Sequence, residues 1–353
     1  MERDGLEHLF DLPLRTYAPR SCLRVSEHFV TRASVPAIDA HNHLGKWLSA
    51  ADDWVAADVE ALVDVMDACN VRTIVNLDGR WGQELEDNLD RYDRAYEDRF
   101  VTFCQVDWRH ASAPGFCEPL CASLRRSAER GARGLKVWKD LGLHIRDDRD
   151  QLVMPDDHRL FDLWETAAEL RLPVLIHTAD PVAFFQPVDR FNERLEELLE
   201  RPDWSFAGAP FPPFEALIES LESVVAAHRQ TTFIGAHVGC YAEHLRWVSR
   251  MLDRYPNFHI DIAARLAELG RQPRTARELL LRHSDRVLFG TDMFPPSVDE
   301  YAVHFRFLES ADEYFDYSSA PIPPQGRWKI SGLDLPTNVL ESVYRNNASK
   351  ILN

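Results

Sequence analysis

Pro36-Ala37-Ile38-Asp39-Ala40-His41-Asn42-His43 is the stretch from which the fold can be read. A short apolar run closes on two histidines separated by one residue. Alternation with period two places Asp39, His41 and His43 on one face of a strand. Two neutral imidazoles at that spacing can hold one ion. Later stretches repeat an apolar run that closes on a polar residue: Pro173-Val174-Leu175-Ile176-His177, Thr231-Thr232-Phe233-Ile234-Gly235-Ala236-His237 and Leu288-Phe289-Gly290-Thr291-Asp292. Another, Gly134-Leu135-Lys136-Val137-Trp138, carries a lysine inside it.

Working outward, strands read at 36–41, 71–77, 100–106, 134–138, 173–177, 231–237, 258–262 and 287–290. Helical spacing fills 54–69, 83–98, 114–130 and 156–170, the last ending just before Pro173. Eight short, mostly apolar strands separated by helices imply a parallel sheet covered on both faces. Eight such units close into a (β/α)8 TIM barrel, and residues at the strand C-termini converge on one rim. The expected organisation is a single domain over 1–353, with an N-terminal arm over 1–34 and the barrel over about 36–350. Two connections are long, 178 to about 213 after strand 5 and 293 to about 336 after strand 8. Their aromatic content predicts packed lids over that rim.

Composition narrows the function classes. A chain of 353 residues, 45% hydrophobic and 10% aromatic, suits one large α/β domain. A net charge of -17 and a pI near 5.3 argue against nucleic acid and against an anionic membrane surface. The charged start Met1-Glu2-Arg3-Asp4, with no apolar run of about 20 residues, predicts neither signal peptide nor membrane span. The six cysteines form no CxxC pair and read as free thiols of a cytoplasmic protein.

Taken together, Ile38–His43, Pro173–His177, Ile234–His237 and Leu288–Asp292 resemble the amidohydrolase superfamily. The resemblance is greatest to its amidohydrolase-related subgroup, which contains aminocarboxymuconate-semialdehyde decarboxylase-like enzymes and lactone or amide hydrolases. Tyr344-Arg345-Asn346-Asn347-Ala348 is similar to the subgroup's closing helix. The resemblance implies that His41, His43, His177 and Asp292 bind a divalent metal. It also implies that His237 lies beside the metal-bound water, and that Asp292 accepts a proton from it. Zinc is the foremost ion, with manganese, iron and cobalt also suited to such nitrogen and oxygen donors.

Lys136 has two readings. It contacts substrate as an ammonium, with Trp138 on the same face, beside one metal. Alternatively, a carboxylated Lys136 bridges a second metal, with His237 as ligand. Arg80 and Arg265 are candidates for gripping an anionic substrate, or for loop ion pairs. Asp78, Asp107, Trp108, Asp180 and Asp261 are further rim candidates. Lys139 falls on the opposite face, and His144 reads as structural.

The leading expectation is a metal-dependent hydrolase attacking a C–O or C–N bond of a small carboxylated or cyclic substrate. The alternative is a metal-dependent non-oxidative decarboxylase using the same donors. A third reading is a barrel that binds a ligand without chemistry. A small molecule is the expected partner, and a homodimer is compatible with the resemblance.

Overall fold

The computed structural model describes residues 6–49 and 53–352. Eight parallel strands run in chain order: β1 (Ala37–Asn42), β2 (Val71–Asn76), β3 (Phe100–Thr102), β4 (Leu135–Val137), β5 (Val174–Ile176), β6 (Phe233–Gly235), β7 (Phe258–Asp261) and β8 (Val287–Leu288). Pairing is continuous from β1 to β3 and from β4 to β8. A parallel bridge between Cys104 and Leu135 joins the two groups. The ring closes because Ala40 N donates to Phe289 O at 2.9 Å and Asp292 N donates to His41 O at 2.8 Å. This is a (β/α)8 barrel, as the alternation predicts.

The strands are buried on both faces, which explains why they read as nearly continuous apolar runs. Inside the ring, Ile38, Ala40, Val75, Leu77, Phe103, Leu175, Ile234 and Leu288 form one cluster. The larger cluster lies between the ring and the surrounding helices. Those helices include Val59–Cys69, Cys117–Arg130, Phe161–Glu169, Phe214–Ala227, Leu245–Arg254 and Pro273–Arg282. Val59–Cys69 shows how one is bounded. The Asp58 carboxylate caps its start through Ala61 N, and Asn70 ends it in the left-handed conformation. The helix expected over 83–98 instead changes winding: Gly82–Asn88 is α-helical and Leu89–Arg94 is one π-helical stretch.

Residues 6–29 are exposed along their length, with two single turns of 3-10 helix. The segment is tied to the long connection after β8. His28 N donates to Asp312 Oδ2 at 2.7 Å, and Arg327 bonds to the Tyr17 carbonyl. The connection after β5 is packed, with Ala183, Phe184, Arg194, Leu198 and Phe206 buried. That after β8 holds the helix Val298–Glu309, whose Ser297 and Glu300 form a capping box. Among the described residues, no helix is long and apolar enough to cross a membrane.

Candidate metal centre

The C-terminal ends of β1, β6 and β8 bring donor atoms of His41, His237 and Asp292 within 4.8 Å of one another. Each imidazole is held by its Nδ1. His41 Nδ1 meets Asp261 Oδ2 at 2.8 Å, His43 Nδ1 meets Asp78 Oδ1 at 2.7 Å, and His237 Nδ1 meets the Ala263 carbonyl at 2.9 Å. Carboxylate and carbonyl oxygens only accept, so these bonds put a proton on each Nδ1 and turn each Nε2 toward the cluster. His43 Nε2 lies 3.3 Å from Asp292 Oδ1, and His41 Nε2 lies 3.7 Å from the same oxygen. Outer partners of this kind orient metal-binding histidines. The donor set therefore fits a divalent metal.

Electrostatics support that fit. Burial, reinforced by Lys136, holds His41 well below the usual imidazole range. Burial and the neighbouring His177 do the same for His237. Both rings are thus neutral and available as donors. Burial alone would raise Asp292, but His41, His43 and His237 outweigh it and hold the carboxyl well below the ordinary range. At His43 burial is opposed by Asp78 and Asp292, and the ring is pushed up to about 9, so this imidazole holds a second proton against Asp292 that a metal would have to displace before His43 could serve as a donor. Asp292 therefore draws positive charge to its side of the cluster, where a cation would satisfy it.

The backbone is specialised at these positions. His237, Val238, Gly239 and Cys240 follow one another in the left-handed region, with φ of 57, 63, 65 and 59°. Asp292 (φ 61°) and Ala264 (φ 53°) share that conformation. Such residues carry strain that only surrounding contacts can fix, and they concentrate at functional sites. Here Asp261 Oδ1 accepts from His237 N at 2.9 Å and from Ala263 N at 3.1 Å. One carboxylate thus orients His41 and pins the turn that presents His237. Gly235 makes the turn feasible, since a Cβ there would lie 2.7 Å from the Phe258 ring.

The predicted residues do not all arrive at the same place. His177 directly follows β5, and its ring centre is 4.5 Å from that of His237. Its Nε2 lies 3.2 Å from Asp180 Oδ1, while its buried Nδ1 has no partner. Lys136 is fully enclosed, 3.3 Å from His41 Nε2, and burial pushes its ammonium down to about 8. Trp138 shares its face as expected, with Lys136 Nζ 4.8 Å from the indole centre. Arg265 is buried and bonded to the Ala264 carbonyl at 2.8 Å. Arg80 stands apart. It lies 4.2 Å over Trp81, pairs with Glu84 at 3.3 Å and lines a separate cavity. Asp39, expected on the face of His41, bonds instead to Thr291 and Tyr301. The register of β1 shifts between Asp39 and Asn42, and that irregularity separates the two.

The cluster opens into a cavity of about 550 Å³. Its walls include Trp47, Trp138, Phe184, Trp204, Phe206 and Phe294, together with Lys139, Arg194 and Arg265. Strand parity puts Lys139 on the opposite face, but β4 has ended at Val137, and Lys139 lines the cavity, ion-paired with Asp180. His144 also lines it, edge-on to Phe206 and Phe211. Arg194 had no sequence signal. It lies in a long polar segment, and only the packing of that segment brings it to the cavity.

The family model described as Amidohydrolase matches residues 38–353. No curated protein matches the sequence. Similar solved structures include an uncharacterised TIM-barrel protein from Bordetella bronchiseptica, at 14% identity and TM-score 0.57, covering 90% of this chain and 98% of that one. A 2,6-dihydroxybenzoate decarboxylase from Rhizobium has 15% identity and TM-score 0.54, covering 90% and 98%. A dihydroxybenzoic acid decarboxylase from Polaromonas, with bound manganese and the inhibitor 2-nitroresorcinol, has 14% identity and TM-score 0.56, covering 90% and 97%. At such identities the likeness is one of fold.

Proposed function

The chain belongs to the amidohydrolase family, and from that premise we propose that it is a metal-dependent, non-oxidative decarboxylase of a small aromatic carboxylate. The observation that carries this reading is the cavity wall, where aromatic faces surround the His41, His237 and Asp292 cluster and the Arg265 guanidinium stands among them, while Lys139 and Arg194 are already matched by Asp180, Glu197 and Glu268. Such a wall suits a flat, anionic ring. The decarboxylases of hydroxylated benzoates that share the fold act on substrates of that shape, as their names state. Hydrolysis remains the second reading, because the same donors can serve metal-activated water.

His41, His43, His177 and Asp292 are the proposed metal donors. His237 lies within the close cluster and is the competing fourth donor. One divalent ion, zinc or manganese, would supply Lewis acidity toward the substrate's oxygens. The chain's own residues do the rest. Arg265 offers its guanidinium to the substrate carboxylate, and Trp138 and Phe294 flank the ring. The aromatic wall excludes water from the departing group. Asp292, held as a carboxylate, takes a proton from a substrate hydroxyl or a water and delivers it to the ring carbon. The C–C bond breaks, carbon dioxide leaves, and that proton takes its place. Lys136, beside His41, keeps the ammonium role in this one-metal reading. A homodimer and a small-molecule partner remain part of the proposal.

Incubation of manganese- or zinc-loaded protein with a panel of hydroxybenzoates tests it, with carbon dioxide and the ring product quantified. Release should cease on chelation and in Asp292→Asn. Turnover of lactones or amides with no carbon dioxide from any carboxylate would transfer the assignment to hydrolysis.

A further inference from the structure

On the helix Cys117–Arg130, which packs outside the strand ring, Cys117 and Cys121 stand one turn apart with their Sγ atoms at 3.7 Å. Neither lines the histidine cavity. Both are free thiols; Cys117 is 9% exposed and Cys121 is half-buried, so solvent reaches the pair. Residues four apart on an α-helix hold their Cβ atoms about 5–6 Å from each other, whereas a relaxed disulfide needs about 3.5–4.5 Å. Closing that bond would pull the first turn of the helix out of shape. A bridge through one atom asks for less. Two bonds of about 2.3 Å to a common thiophilic atom, at an angle between right and tetrahedral, hold two sulfurs about 3.3–3.8 Å apart. The observed separation falls in that range.

The two thiols also act on each other chemically. The hydrogen bond from Cys117, helped by Thr166 and the Arg125 guanidinium, outweighs burial and Asp162 and holds the Cys121 thiol down to about 7. The same bond, with burial, raises Cys117. Cys121 is thus the thiolate, and the thiolate is the nucleophile. Arg125 is kept beside it by Glu169 at 2.6 Å, on the facing helix Phe161–Glu169. Donor number decides what the pair can hold. Among the described residues, the donors that converge as a group of three or more are those of His41, His237 and Asp292, so no third histidine, cysteine or carboxylate joins these two sulfurs. A structural zinc site takes four protein ligands. Two thiolates alone suit a centre that brings its remaining substituent with it.

We propose that Cys117 and Cys121 form a dithiol site for a monosubstituted trivalent arsenical, which they chelate across one turn of the helix. Each sulfur forms one As–S bond. The two arsenic-bound hydroxyls leave as water and carry off both thiol protons. Arsenic stays trivalent and neither sulfur is oxidised. The site is separate from the metal centre and independent of the reaction assigned to it.

Treatment of the full-length protein with one equivalent of phenylarsine oxide, after reduction by a phosphine and removal of the phosphine, tests the proposal. Intact mass should show one arsenical per chain, and the free thiol count should fall by two of the six. The tryptic peptide 110–125, which holds these two cysteines and no other, should carry the arsenic. Dimercaptopropanol should release it at a concentration about a hundredfold below that of mercaptoethanol, because two sulfurs must be displaced together. Cys117→Ser and Cys121→Ser should each abolish this dithiol-selective adduct, and Cys22→Ser should leave it unchanged. No adduct on the wild-type chain, arsenic on another peptide, equal release by both thiols, or an adduct surviving in both single variants would overturn the proposal. Loss of the adduct in Cys22→Ser would also overturn it.

Discussion

Asp261 grips His41 through Nδ1 and also pins the backbone of His237 and Ala263, so one carboxylate serves two strand ends. Asp261→Asn preserves the shape but replaces the Oδ2 acceptor facing His41 or the Oδ1 acceptor facing the turn. Metal affinity should fall by about 10–100-fold, measured by competition with a chromogenic chelator; unchanged affinity would mean that His41 is oriented by something else. The contest for the fourth donor is settled by metal content. His177→Ala should lose most of the bound ion and His237→Ala should retain it, and the reverse result would exchange their roles. Asp39 presents a different problem. Burial pushes its carboxyl up to about 6 despite donors from Thr291, Tyr301 and His41. Tyr301→Phe removes a 3.0 Å bond to that carboxylate and should cost about 1–2 kcal/mol in urea unfolding.

At the scale of elements, close approach between neighbours decides what a strand end can carry. A Cβ on Gly290 would sit 2.9 Å from His41 Cβ. Gly290→Ala should therefore push β8 away from β1, destabilise the chain by about 1–3 kcal/mol, and lower metal content more than a comparable destabilisation elsewhere. A variant of wild-type stability and full metal content would show that the seam yields. The same scale explains what the sequence made legible. The strands were readable because burial on both faces leaves continuous apolar runs, and the strand-end histidines were readable because those runs stop at them. The left-handed turn at His237–Cys240 had only Gly235 before it and Gly239 within it as a signal. Arg194, Lys139 and His144 had none, since loop packing and not periodicity brings them to the cavity. Arg80 showed the converse: its position after β2 suggested the site, but its stacking on Trp81 holds it elsewhere.

For the whole molecule, buried imidazoles link stability to acidity. His259 in β7 is lowered to about 4 by burial and by Arg286. An unfolded chain takes up that proton near pH 6.5, whereas the folded chain resists until about pH 4. Its contribution is therefore complete above pH 6.5 and is lost as pH falls between those values. His259→Gln should flatten the decline of the urea midpoint over that window by up to about one proton's worth of slope; an unchanged profile would place the acid sensitivity in other groups. The seam between β8 and β1 has a consequence in time. Asp39 and Thr291 bond across 252 residues, and the His41 carbonyl receives the Asp292 amide over nearly the same span. A chain emerging from the ribosome thus displays His41 and His43 long before the Asp292 carboxylate exists. If these residues hold the proposed ion, its capture would report that synthesis has passed β8 and that the ring has shut, and a nascent fragment ending ahead of that strand should fail to retain added zinc or manganese in a metal-content assay.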